Sequence, residues 1–241
     1  MARRSLVAFM AAALLALPVF LSLGAAGDPS GSFEERVSIE YFGSNHAGPG
    51  PHPTTESDRF LLTRGGIRWP VGGTVEYLVA GAPAGAPQAV DQAVATLDVS
   101  ITTRGFAHNE STTQINPCTG QPNSISWRTG DGPGGVLAQA LVCFNSSTKE
   151  IAGFRIAFDS TDPWTTTGAP NAFDVENVAT HEFGHVAGLD EVSGPRDGCL
   201  TMYKFSGLGE TQKRTLGLGD KLGLNKLYQT GDTSAGPGCG Q

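Results

Sequence analysis

Apolar residues recur along the chain with two periods. Val75, Tyr77 and Val79 share one face of the stretch Thr74–Ala80, the two-residue alternation of a half-buried strand. Ile67-Arg68-Trp69-Pro70, just before it, reads the same way. After Pro87, a residue suited to a first helical turn, Val90, Val94, Leu97 and Ile101 fall at three- and four-residue spacing and predict an amphipathic helix. Residues 125–128, 137–144 and 151–158 read as further strands. Asp174 suits the N-cap of a second helix, and a last helix near 220–228 leads to a Gly-rich end. A strand and a helix, then several strands and more helix, predict an α+β fold.

The start of the chain has a different texture. Arg3 and Arg4 precede an apolar run from Leu6 to Leu23, broken by Pro18 and followed by Gly24-Ala25-Ala26. That is the layout of a signal peptide over residues 1–26, so the protein is expected to be secreted, with no membrane association after cleavage. A retained anchor is the rival reading, which Pro18 and the small residues disfavour. Residues 27–58, rich in Gly, Pro, Ser and Asn and carrying His46 and His52, read as an irregular leader. The domain proper is expected over 59–241, long enough for one core and consistent with a monomer.

A net charge of −7 supplies no basic patch, so nucleic acid is not an expected partner. Cys118, Cys143, Cys199 and Cys239 suit an oxidising compartment and allow three pairings. Cys118–Cys143 and Cys199–Cys239 are the favoured set. A cysteine-bound zinc is disfavoured because no two cysteines have the short spacing of such sites.

The chemistry concentrates in Thr180-His181-Glu182-Phe183-Gly184-His185-Val186-Ala187-Gly188-Leu189-Asp190-Glu191. His181 and His185, four residues apart, share one face of a helix and can reach one ion. Glu182 stands beside the first histidine, where it can accept a proton from a water held at that ion. Gly188 can end the helix in a left-handed turn and send the chain back towards the metal, where Asp190 and Glu191 offer carboxylates. An accidental amphipathic helix is the competing reading; with 5 histidines in 241 residues the coincidence is unattractive.

His-Glu-x-x-His-x-x-Gly-x-x-Glu, followed by Thr201-Met202-Tyr203, resembles the metzincin signature with its Met-turn, and most closely a bacterial matrixin. The likeness spans about 59–228. It implies a zincin-like catalytic domain, a twisted mixed sheet with an active-site helix and a C-terminal helix, acting as a zinc endopeptidase on extended protein or peptide substrates. Counting from His181, the third zinc ligand falls on Glu191, where the family usually has histidine; Asp190 is the alternative. Glu182 becomes the general base and Met202 an apolar floor under the metal. The cleft is expected along residues 136–141, with Val136, Leu137 and Ala138 on one side and Tyr203, Lys204 and Phe205 near the pocket for the side chain after the cleaved bond.

The resemblance also implies calcium between the glycine-rich loop after Asp131 and the segment holding Asp159 and Asp162. The family's second, structural zinc is not expected, because Gln139 and Ala157 stand where it takes histidines. Nor is a cysteine-switch latency, since no cysteine precedes Cys118. Two other readings compete. One is a gluzincin with Glu210 as a distant third ligand; the other is a secreted binding protein with a metal-stabilised fold and no turnover, which an intact Glu182 opposes.

Overall fold

The computed structural model describes residues 32–42, 56–101 and 104–236. The expected signal peptide, most of the leader, His46, His52 and Cys239 lie outside them. Ten elements carry the argument: β1 (Phe33–Phe42), β2 (Thr74–Ala80), α1 (Ala86–Ser100), β3 (Gly105–His108), β4 (Ser124–Arg128), β5 (Val136–Asn145), β6 (Ile151–Asp159), α2 (Val175–Val186), β7 (Phe205–Ser206) and α3 (Leu218–Tyr228). The seven strands form one mixed sheet in the order β7-β1-β5-β6-β4-β2-β3. β5 is antiparallel to both neighbours, β1 and β6, while β6, β4, β2 and β3 pair in parallel.

The helices pack against the sheet through an aromatic cluster. Phe183 of α2 meets Tyr77, Phe106 and Phe154 with ring centroids 5.7–6.0 Å apart. α1 begins at Ala86, with Pro87 in its first turn as expected, and buries Val90, Val94 and Leu97. Burying four such aromatic rings contributes roughly 2 kcal/mol each, so this layer fixes α2 to the sheet firmly enough to hold a site.

α2 starts at Asp174, whose carboxylate accepts the Asn177 amide at 3.0 Å. The helix stops after Val186 because Gly188 takes φ 95°, and a Cβ there would collide with the Ile67 carbonyl oxygen. Only glycine makes this turn without strain. Residues 67–70 do not form the strand expected of them; Arg68 makes an isolated bridge to Glu150, while Ile67 and Trp69 are core side chains below α2 and Gly66 holds φ 119° just before them. Cys118 is bonded to Cys143, as favoured, and Cys199 is also in a disulfide.

The leader reading needs correction. Residues 33–42 are not irregular but form β1, paired along its length with β5 and at its end with β7. Its alternation is inverted: Ser38 and Glu40 are buried, whereas Val37 and Tyr41 are 40% and 38% exposed. A pattern that puts polar residues inward does not announce a strand in sequence. Among the described residues no helix is long and apolar enough to cross a membrane.

Candidate metal centre

His181 and His185 lie fully inside α2, 0% and 1% exposed. Thr201 O accepts from His181 Nδ1 at 2.7 Å, and Leu189 O accepts from His185 Nδ1 at 3.0 Å. A carbonyl oxygen can only accept, so each Nδ1 carries the proton and each Nε2 is bare. The two Nε2 atoms face each other at 3.1 Å. Two lone pairs that close repel unless a cation lies between them, and nitrogens sharing one tetrahedral zinc at ~2.1 Å stand ~3.4 Å apart. The donors therefore fit a zinc ion. Burial pushes both imidazoles towards the neutral, ligating form: His181 is held well below its usual pKa and His185 is brought down to about 3, in the latter case with His181 adding to the effect.

Glu182 is 0% exposed, and neither of its oxygens completes a hydrogen bond. Burial, followed by the charges of Glu40 and Glu191, raises its pKa well above the ordinary carboxylate value; Lys213 opposes this more weakly, as does the nearby Ala140 amide, which falls short of a well-formed hydrogen bond. A buried carboxyl with no good partner is costly to keep charged, and its raised pKa makes it a stronger proton acceptor than an ordinary carboxylate.

Of the two candidate third ligands, Glu191 Oε1 lies 3.9 Å from His185 Nε2 and accepts from the Ile39 amide at 3.1 Å. Asp190 is turned away, its Oδ1 accepting from the Glu191 amide at 3.0 Å. Glu210 accepts from the Gly207 amide at 2.8 Å and does not join the histidines. Met202 is buried below α2, where a Cβ on Gly184 would collide with its sulfur. Asp220 of α3 fixes that turn, accepting from the Thr201, Met202 and Gly217 amides at 2.7, 3.1 and 2.9 Å.

Sequence reasoning missed Glu40. Among the described residues, the only group of three acidic, cysteine or histidine side chains with donor atoms all within 4.8 Å is Glu40, His181 and Glu182. Glu40 pairs with the fully buried Lys213 at 2.5 Å, and no local pattern in the sequence links the two. Residues 136–141, expected to line the cleft, belong to β5, where Val136 and Ala138 face Tyr41 and Glu40 of β1 across the ladder. Leu137 is buried in the core, while Tyr203 bridges to Val192 and stacks edge-on with Phe205.

The three aspartates of the loop do not form a tight cluster by that same measure. Asp131 accepts from Val136 N, Asp159 from Gly130, Gly132 and Thr161, and Asp162 from Gly134 N. Gln139 and Ala157 face each other directly between β5 and β6.

A mixed sheet with α2 packed against β5, two converging bare imidazoles and a buried carboxylate beside them define a zincin-like metalloprotease domain. The particular family follows from sequence: residues 87–229 match the matrixin family, and the chain belongs to it. It is similar to metalloendoproteinase 1 of Glycine max (36% identical over 104 residues, 41% of this chain and 30% of that protein). Human neutrophil collagenase and human matrilysin are each 36% identical over 98 residues, which is 41% of this chain and 19% and 33% of theirs. Each match thus spans a third or less of the relative's length. Among solved structures, myroilysin aligns over 69% of this chain and 97% of its own at 14% identity and a TM-score of 0.40.

Proposed function

We propose that the chain is a secreted zinc-dependent endopeptidase that hydrolyses peptide bonds in extended protein substrates. One observation carries the reading: two bare Nε2 atoms converge beside a buried carboxylate that has no partner of its own. His181, His185 and Glu191 would hold the zinc, and Asp190 would not. Bound there, zinc supplies a Lewis acid for the scissile carbonyl and lowers the pKa of water. Glu182 accepts a proton from the attacking water while the hydroxyl adds to the carbonyl carbon. The C–N bond then breaks, and Glu182 returns the proton to the leaving amine. Met202 packs beneath as an apolar floor, and the Thr201 and Leu189 carbonyls keep each Nε2 aimed at the metal.

Secretion is supported by the disulfides, which persist in oxidising compartments. Calcium is proposed for the loop of Asp131, Asp159 and Asp162, supported by the buried, unpartnered Asp162 Oδ2 and by the raised pKa of Asp162, where burial leads and the charges of Asp159 and Asp131 add to it. If so, EGTA lowers the melting temperature; an unchanged value removes calcium from the site.

The test of the main reading is casein or gelatin cleavage by the purified protein with and without 1,10-phenanthroline. Cleavage that stops with chelator and returns with one equivalent of zinc is the expected result. Cleavage indifferent to the chelator, or none with zinc bound, refutes it and returns the metal-stabilised binding protein.

A further inference from the structure

β1 lies where an extended substrate would lie, and its side chains report what the cavity beneath it accepts. It runs antiparallel to β5 with Glu40 opposite Ala138, and its end runs parallel to β7. The Phe42 amide donates to Gly135 O at 2.8 Å on one side, and the Tyr41 amide to Lys204 O at 3.1 Å on the other. A clamp made of backbone is indifferent to sequence, so selection falls to the side chains that point inward.

The inward side chain at the metal is Glu40. Its Oε1 meets Lys213 Nζ and Ser206 Oγ, each at 2.5 Å, while Oε2 is buried with no partner. Asn177 of α2 braces the cavity floor, donating to Ser206 Oγ at 3.2 Å and accepting the Lys213 amide at 2.7 Å. Lys213 is therefore a fully buried ammonium whose close carboxylate comes from the strand lying in the cleft. Glu210, in the wall, also feels its charge, but one of its oxygens is engaged by the Gly207 amide. A buried cation left without its carboxylate is strongly unfavourable, and a polar pocket rejects side chains that leave it unpaired far more sharply than an apolar pocket rejects a wrong shape.

The Ile39 amide is bonded to Glu191, and the Glu40 carboxylate stands within 4.8 Å of His181 and Glu182 donor atoms. We propose that this cavity receives the side chain following the scissile bond, that Lys213 and Ser206 make it select an acidic residue, glutamate first, and that β1 is the chain's own substrate-like occupant with Ile39–Glu40 at the bond position. The proposal rests on the metalloprotease reading and names its substrate class. Hydrolysis at that position would place the water's hydroxyl on the carbonyl carbon of the preceding residue and its proton on the glutamate nitrogen. The same inversion that hid β1 in the sequence then has a cause: its polar face is inward because the cavity is built for an acid.

Two measurements test this on the full chain. In the catalytically silent Glu182→Gln background, hydrogen exchange reads the Tyr41 and Phe42 amides. Glu40→Gln and Lys213→Met should each speed exchange by about tenfold or more, and the double variant should add nothing to the faster single, as expected for one coupled pair. Zinc affinity should stay within about threefold in Glu40→Gln, since its carboxylate serves the pocket and not the metal. Unchanged exchange in Glu40→Gln, or zinc affinity lost by more than tenfold, overturns the pocket. With Glu182 intact, peptides Val-Ser-Ile-X-Tyr-Phe carrying Glu, Gln or Leu at X are compared. Cutting before Glu should be about 100-fold faster than before Gln or Leu, with Lys213→Met reversing the order. Preference for Leu in the unaltered enzyme refutes the assignment. If neither these peptides nor casein are cut, the metalloprotease reading fails, while the exchange measurement still decides whether Lys213 holds Glu40.

Discussion

Replacing Glu182 by glutamine should lower activity and raise stability together. Glutamine keeps the shape and the position on α2 but cannot accept the water's proton. A positioned general base contributes ~10²–10⁴-fold, so kcat/KM should fall about 1000-fold, or about 4 kcal/mol of transition-state stabilisation. Stability should move the other way. The carboxylate is fully buried, has no hydrogen bond, and is pushed towards its neutral form chiefly by burial and then by Glu40 and Glu191. A neutral amide relieves that burden, and at pH 7 the metal-free variant should be more stable by about 1 kcal/mol, the lower end of the cost of an unsatisfied buried group.

The assays are peptide hydrolysis under kcat/KM conditions and urea unfolding of both metal-free proteins, with zinc content checked first. Both histidines remain, so the variant should still bind one zinc. Activity within tenfold of the parent would remove Glu182 from its role. A metal-free variant less stable than the parent by more than about 1 kcal/mol would mean that the carboxylate is satisfied in solution, against the reasoning on burial.

Three other outcomes follow from the geometry. Glu191→Ala should weaken zinc binding by about 100-fold, whereas Asp190→Ala should leave it nearly intact; the reverse order in a competitive zinc titration would exchange their roles. Gly188→Ala should cost about 3 kcal/mol or more, because φ 95° and the Ile67 carbonyl both exclude a Cβ; a loss under about 1 kcal/mol in urea unfolding would refute this. His185 titrates near 3 in the fold and near its ordinary 6.5 when unfolded, chiefly through burial. The unfolded chain therefore binds the extra proton between those values, and the metal-free protein should lose stability relative to His185→Gln by up to ~1.4 kcal/mol per pH unit as pH falls from about 6.5 to 3. A gap between the two that does not change with pH would show the imidazole to be solvated.

How far each of these was legible in sequence depends on whether its cause is local. His181, Glu182, His185 and Gly188 act through one helix and its end, so their spacing alone places them. Asp174 and Pro87 are likewise local signals, and both stand at the helix starts they predicted. Glu191 against Asp190 needed the turn after Gly188, which aims one carboxylate at His185 and folds the other onto its own backbone. β1 was hidden because its inward residues are polar, and the surrounding Gly, Pro and Ser outweighed a short inverted alternation. Asp220 and Lys213 had no local signal. They act on groups 18 and 173 residues away, through a fold that the sequence pattern describes only as α+β.

The nonlocal residues nevertheless obey one electrostatic constraint. Burial raises Glu40, Glu182 and Glu191; the Glu40 charge adds to the effect on the other two, and Lys213 opposes it at Glu40 and Glu182. With the strand in place, Glu40 and Glu182 share one buried cation, and the charge of Glu40 is part of what raises Glu182 and Glu191 beyond burial. A dication held by the imidazoles would offset Glu182 and Glu191 with both ionised. Zinc and β1 would thus do different work: the metal would offset Glu182 and Glu191, while Glu40 offsets Lys213. Withdrawing β1 would leave Lys213 without its ion-pair carboxylate, with only the more distant Glu210 still feeling its charge, a deficit that an incoming acid can fill. On this argument zinc binding and strand retention are nearly independent, whereas strand release and the arrival of an acidic side chain exclude each other.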